Sequence, residues 1–338
     1  MTPQARPGHV MVHGASGFVA ASLLPLLARR SVATISLVDR KPPSPRVIAR
    51  LREAGSRPHV IVAGSLRNLR VPAAPDVVIS LAGITDVDQA LDRPAEALAG
   101  NVGIAIDLAE WVRRTVPAAR LIYMSSDEVL GESTEPLPPD APLRPTQPYA
   151  VSKAAAELVL HNYRDVYGLD VVTLRSCNLV GGRQRARKLI PVAVYNLVHR
   201  LPVPVYGDGA QLREWMAVGD VCDAIWALVG RDAPAGVYQA STGVRLSVTD
   251  VVTHVASAIG LPLVTRPVAD RRVHDRSYSM CSARLREHGW HPRRDPVEAI
   301  RKAARDLVPV ARARRFPFPL GAREAGEALH RSAPLVAR

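Results

Sequence analysis

Residues 9–30 read HVMVHGASGFVAASLLPLLARR: an uninterrupted apolar run, a glycine-bearing turn, then a long stretch of helix formers. An apolar run without polar alternation has no face to give to water, so it must be covered on both sides. The unit then recurs. TISLVD (34–39), HVIVAG (59–64), DVVISLAG (76–83), RLIYMSS (120–126) and DVVTLRS (170–176) read as further strands. GFVAASLLPLLARR (17–30), PAEALAGNVGIAIDLAEWVRRT (94–115) and YAVSKAAAELVLHNYRDVYG (149–168) read as helices, with Pro25 to be accommodated in the first. Strands alternating with helices predict an α/β domain with a doubly wound parallel sheet over residues 1–176.

After residue 176 the strands shorten, prolines multiply and LPVPVYGDG (201–209) is loop-like. A smaller, mixed α/β domain is expected over 177–309, placed at the carboxyl ends of the strands, where open sheets bind ligands. VGDVCDAIWALV (218–229) reads as a helix returning to the first domain, within 218–240, so the second domain is discontinuous. Residues 310–338, rich in Arg, Ala and Pro, are expected to be a tail.

The chain has 338 residues, 47% of them hydrophobic, enough for a large core. No window approaches 18 uninterrupted apolar residues, and the first residues lack a charged-then-apolar signal pattern. Cys177, Cys222 and Cys281 are odd in number and far apart, so neither a metal site nor a disulfide framework is expected, and a cytoplasmic setting is. The net charge is +13, yet only four of the 44 basic residues are lysines, at 41, 153, 188 and 302. The arginines are scattered and aromatics make up 4% of the chain, which argues against nucleic acid and for a general pull on anionic small molecules.

Three motifs carry chemistry. GASGFVA puts Gly14 and Gly17, with Ser16, Phe18 and Val19, between a strand and a helix, where backbone N–H groups can approach a pyrophosphate. Asp39 ends the second strand, 22 residues after Gly17. An acid there holds the ribose hydroxyls of NAD and repels a 2′-phosphate; Arg40 and Lys41 would welcome that phosphate, and the pattern favours NAD over NADP. In YAVSK, Tyr149 and Lys153 stand four apart on one helix face, where an ammonium favours the phenolate. Such a tyrosine can take a proton from a hydroxyl while hydride leaves the same carbon. Eight tyrosines and four lysines in 338 residues would give this spacing by chance about 0.1 times. In MSSDEVLGE (124–132), Asp127 and Glu128 are either a solvated turn or an acid and a base whose pKa values are pushed apart. With Tyr149 and Lys153 downstream, the second reading is preferred.

Together these residues resemble the extended short-chain dehydrogenase/reductase superfamily, with its Rossmann-like fold, and within it the dTDP-glucose 4,6-dehydratases, from about residue 9 to 308. The dehydratases carry Ser-Thr-Asp-Glu-Val-Tyr-Gly where this chain has SSDEVLG (125–131). LAGITDVDQAL (81–91), NLVGG (178–182), KLIP (188–191), PVYGDGAQLREW (204–215) and VADRRVHDRSY (268–278) match as well. The resemblance implies a tightly bound NAD touching Gly14, Ser16, Gly17, Phe18, Val19, Asp39, Arg40, Leu81, Ala82, Tyr149 and Lys153. It implies an NDP-sugar held by Thr85, Asn178, Arg187, Lys188, Leu189, Val205, Tyr206, Arg213, Arg271 and His274. Tyr149 would deprotonate the C4 hydroxyl as hydride passes to NAD, with Ser126 at the C4 oxygen. Glu128 would remove the C5 proton and Asp127 protonate the departing C6 hydroxyl, before hydride returns to C6. Epimerisation through the same transient ketone is the alternative. A homodimer through a four-helix bundle of helices 94–115 and 149–168 is also implied.

The match breaks in places. The dehydratases usually have glutamate where this chain has Ile84, histidine at Asp86, tyrosine at Leu130, threonine at Ser126 and glutamate at Arg187. The segment after Asp39 is shortened to RKPPSP. These departures point to a diverged sugar site, as in deoxysugar pathways of specialised metabolism.

Overall fold

The computed structural model describes residues 7–313. The first half runs β1 (His9–His13), α1 (Ala20–Arg29), β2 (Thr34–Asp39), α2 (Pro45–Glu53), β3 (Arg57–Val62), β4 (Val77–Ser80), α3 (Val87–Asp92), α4 (Pro94–Thr115), β5 (Arg120–Met124), α5 (Pro148–Tyr167) and β6 (Val171–Ser176). The second half runs β7 (Asn178–Val180), α6 (Leu189–Val198), β8 (Val203–Tyr206), β9 (Leu212–Ala217), α7 (Val218–Ala227), β10 (Gly236–Ala240), β11 (Arg245–Ser247), α8 (Val248–Ile259), β12 (Thr265–Val268), α9 (Ala283–Glu287) and α10 (Pro296–Ala313).

Seven strands form one sheet in the order β10-β6-β5-β4-β1-β2-β3, every neighbouring pair parallel. The fold is the expected Rossmann-like, doubly wound one. Strand periodicity of two divides each strand between two cores. Val10 and Val12 of β1 pack with α1 and α7, whereas Met11 between them packs with α4. Val77 and Ile79 likewise face the first core and Val78 the second. Both sides being covered is why these strands carry no polar alternation. A third core joins α6, α8 and α10 in the smaller lobe. None of the described helices is long and apolar enough to cross a membrane.

Several expectations need correction. Residues 201–209, read as a loop, contain β8, which pairs in parallel with β12. Prolines at 202 and 204 hid it, and a two-stranded edge tolerates them because few ladder hydrogen bonds are lost. α10 passes residue 310, where a tail was expected to begin, and buries Ala311; residues 314–338 lie outside the described residues. α2 was not foreseen, because its apolar face is only Val47, Ile48 and Leu51.

Candidate active site

A cleft of ≈ 430 Å³ opens at the carboxyl ends of the sheet strands, between the sheet and the smaller lobe. Its floor begins where β5 ends. Ser126 caps a single 3₁₀ turn, Asp127–Leu130, by accepting the Glu128 N–H, and the turn stops at Gly131. Gly131 has φ +74, and a Cβ there would collide with the Arg144 carbonyl oxygen, so only glycine lets the turn close against the segment leading to α5. Gln147 then caps α5, its Oε1 accepting the Tyr149 N–H at 2.8 Å. The turn and the helix start thereby bring Ser126, Asp127, Glu128 and Tyr149 onto one wall of the cleft.

The two carboxylates differ in surroundings. Asp127 is 4% exposed, and burial together with neighbouring Glu128 pushes its pKa up to about 7. Its Oδ1 accepts from Ser126 Oγ at 3.0 Å and from the Glu128 N–H at 3.1 Å, while its buried Oδ2 has no partner among the described residues. Glu128 is half-buried and also shifted up by desolvation, but Arg213, Lys188 and Arg271 pull it back. Gln147 Nε2 donates to its Oε2 at 2.5 Å.

Tyr149 and Lys153 share a face of α5, and the tyrosine's pKa is raised rather than lowered. Burial and then Glu128 raise it, opposed by a hydrogen bond with Ser126. The Lys153 ammonium turns to the end of β5, donating to Tyr123 Oη at 3.0 Å and to the Met124 carbonyl at 2.7 Å. Burial brings its pKa down to about 8, with Glu157 one turn along opposing that shift. An ammonium has three hydrogens, so one remains for a ligand hydroxyl.

Gly17, Phe18, Val19, Leu81 and Ala82 line the cleft beside Tyr149 and Lys153. Gly14 has φ +85, and a Cβ there would sit 2.7 Å from Ala82 N, so glycine lets the β1–α1 turn lie against the end of β4. Ser16 instead borders a second cavity of ≈ 160 Å³ on the other side of that turn, shared with Pro43, Ser44 and Arg183. Asp39 and Arg40 line neither cavity. Asp39 accepts from Ser16 N at 2.9 Å and Ser16 Oγ at 2.7 Å, bracing the glycine turn. A turn with glycine at 14 and 17, an uncapped helix start and a lysine with a hydrogen to spare fit a dinucleotide.

Thr85, Asn178, Arg187, Lys188, Leu189, Tyr206, Arg213, Arg271 and His274 line the other end of the cleft. Val205 does not: it is 7% exposed and packs inward toward Gly209, because alternation along β8 sends Pro204 and Tyr206 to the cleft and Val205 away. Arg213 donates to the carbonyls of Leu212 and Asp275 and stacks over Tyr278, with no acid in contact among the described residues. Arg271, expected to hold the NDP-sugar, also pairs bidentately with Asp88 at 2.7 and 3.1 Å and lies over Tyr206. His274 is held by Asp270 at 2.6 Å.

The departures from the family pattern sort by location. Leu130 is buried in a sheet core and Ile84 packs beneath Tyr149, so neither lines the cleft. Asp86 and Arg187 both do, and they face each other at 3.7 Å. Sequence reading missed Gln147, Asp88, Tyr123 and Asn101; the last holds the Ile84 backbone through its N–H and carbonyl. A polar residue just before Pro148 at a helix start was the available sign for Gln147; the others come together only through tertiary contacts.

A family model described as the NAD dependent epimerase/dehydratase family matches residues 10–240. The chain is 35% identical over 260 residues to a dTDP-glucose 4,6-dehydratase of Streptomyces antibioticus, covering 76% of each chain. Among solved structures, a dTDP-glucose 4,6-dehydratase from Streptomyces venezuelae with NAD bound is 29% identical at a TM-score of 0.79, covering 88% of this chain and 96% of that one. A UDP-glucose 4-epimerase from Thermus thermophilus in complex with NAD is 25% identical at a TM-score of 0.78, covering 88% and 98%.

Proposed function

Because the chain belongs to the NAD dependent epimerase/dehydratase family, we propose that it is an NAD-dependent NDP-sugar 4,6-dehydratase of the dTDP-glucose type. The observation that carries this reading is the unlike carboxylate pair. Expelling the C6 hydroxyl as water needs an acid still protonated near neutral pH, next to a base. Asp127, with its pKa about 7 and an Oδ2 that has no partner among the described residues, supplies the acid. Glu128, which burial shifts up but three cations hold back, supplies the base. An epimerase acting through a C4 ketone has no leaving hydroxyl to protonate.

Bound NAD would accept a hydride from C4 and later deliver one to C6. Tyr149 takes the C4 hydroxyl proton; while Asp127 is neutral, only one carboxylate opposes the phenolate. Glu128 takes the C5 proton and returns it after water has left. Asp127 gives its proton to the C6 oxygen. Over the cycle Tyr149 gains a proton and Asp127 loses one; Ser126, which donates to Asp127 and influences Tyr149, would pass the difference along. Lys153 would give its remaining hydrogen to a ribose hydroxyl, and Arg213, with no acid in contact among the described residues, would offer its guanidinium to the diphosphate. Leu158, Val166 and Tyr167 on α5 and Ile106 on α4 are exposed apolar groups suited to the same helices of a second copy.

The test is to load the protein with NAD, offer dTDP-glucose and a panel of other NDP-sugars, and read product masses. Loss of water is expected. Unchanged mass with altered stereochemistry by NMR would replace the reading with epimerisation. Glu128→Gln is expected to reduce NAD without losing water; dehydration at the parent rate would remove Glu128 as the base.

A further inference from the structure

Gln147 is 4% exposed, caps α5 and lines the cleft. Glutamine is a poor choice for a cap alone, since the short side chains of Ser, Thr, Asp and Asn do that work best. Here both ends of the carboxamide are used. The Tyr149 backbone N–H is a donor only, so Gln147 must turn its oxygen to it. The amide nitrogen is thereby aimed at Glu128 Oε2. A flipped amide would set donor against donor at Tyr149 and acceptor against acceptor at an ionised Glu128.

We infer that Gln147 is a positioning residue for the base: it holds Glu128 as a carboxylate and ties it to the helix start that places Tyr149. The inference rests on the reading of Glu128 as the C5 base. The charged and titratable groups facing Glu128 are Asp127 on its own turn, Tyr149 on α5, Lys188 before α6, Arg213 on β9, and Arg271 and Tyr278 beyond β12. Burial favours the neutral acid, and the three cations oppose it. Those cations line the end of the cleft assigned to the substrate, so a bound diphosphate screens them. Gln147 is a neutral donor whose support for the carboxylate does not weaken when that anion arrives.

Gln147→Ser separates the two jobs, because serine keeps the cap but is too short to reach Glu128. NAD-loaded parent, Gln147→Ser and Glu128→Gln are given dTDP-glucose, or the NDP-sugar the parent converts. Three readouts are followed across pH: NADH absorbance for C4 oxidation, solvent deuterium at C5 for the base, and product mass. In Gln147→Ser the acidic limb of C5 exchange is expected to move up by about one pH unit, with exchange about tenfold slower below it. C4 oxidation should slow far less, and raising the pH should restore exchange. Gln147→Glu, which keeps the length and the cap oxygen but offers no fixed donor, is expected to shift the limb further and serves if the serine variant folds poorly. A parent-like limb in both variants, or equal slowing of C4 and C5 steps at every pH, overturns the inference. Dehydration by Glu128→Gln at the parent rate would instead overturn the base assignment beneath it.

Discussion

Asp127→Asn should abolish water loss and, at pH 8, make the protein more stable than the parent, with the parent–variant difference growing with pH. The Asp127 pKa rises from 3.8 to about 7 on folding. For an acid raised in this way, the folded state binds the extra proton, so stability is full at low pH and is lost as pH climbs from about 4 toward 7. The ionisation penalty is about 1.5 kcal/mol at pH 5 and about 4 kcal/mol at pH 8. Asparagine removes it. Its Oδ1 can keep the hydrogen bonds from Ser126 and Glu128, but its Nδ2 replaces the unpartnered Oδ2 and leaves a buried donor unsatisfied, a cost of about 1–3 kcal/mol. That cost does not depend on pH, so the comparison is best read as a difference between two pH values. From pH 5 to pH 8 the variant should gain about 2.5 kcal/mol on the parent, roughly 3–4 °C in Tm for a chain of this size. Thermal unfolding of both proteins at pH 5, 6.5 and 8 measures it. A parent–variant difference that stays flat across this range would mean that Asp127 is ionised in the folded protein, and the acid role would fall with it.

Gly131→Ala should lower stability by about 1–3 kcal/mol, because the left-handed φ and the Arg144 carbonyl both resist a Cβ. Urea unfolding would show this, and dehydration should fall with it because the turn carries Asp127 and Glu128. Arg213→Ala should raise KM for the NDP-sugar about ten- to hundredfold with a smaller change in kcat, as a lost charged hydrogen bond to a diphosphate would; a fall in kcat at unchanged KM would place Arg213 elsewhere.

The sheet was legible because its strands are buried on both faces: Val10, Met11 and Val12 read as one apolar run since neighbours along it serve opposite cores. Tyr149 and Lys153 were legible from spacing on one helix, and Asp127 and Glu128 from adjacency. What failed were inferences that needed a direction or a competitor. Lys153 had the right spacing to meet Tyr149, yet the end of β5 offers it Tyr123 and the Met124 carbonyl. Arg271 lines the cleft as expected, but its partner Asp88, 183 positions earlier in the chain, could not be foreseen. Val205 was one residue out of phase with the cleft. Each miss is a tertiary choice among partners, which neither spacing nor composition encodes.

The placement of β10 has a consequence for how the protein is made. The chain leaves the sheet after β6, builds β7, α6, β8 and β9 beyond it, and returns through α7 to lay β10 along β6. All six residues of β6 are buried, so until residue 240 has emerged from the ribosome this strand is an open edge whose backbone lacks its β10 partner. Such an edge invites pairing with a neighbouring nascent chain. The sheet that carries the glycine turn is therefore not a part that can be synthesised, truncated or exchanged by itself, and a chain stopped near residue 176 should be lost to aggregation.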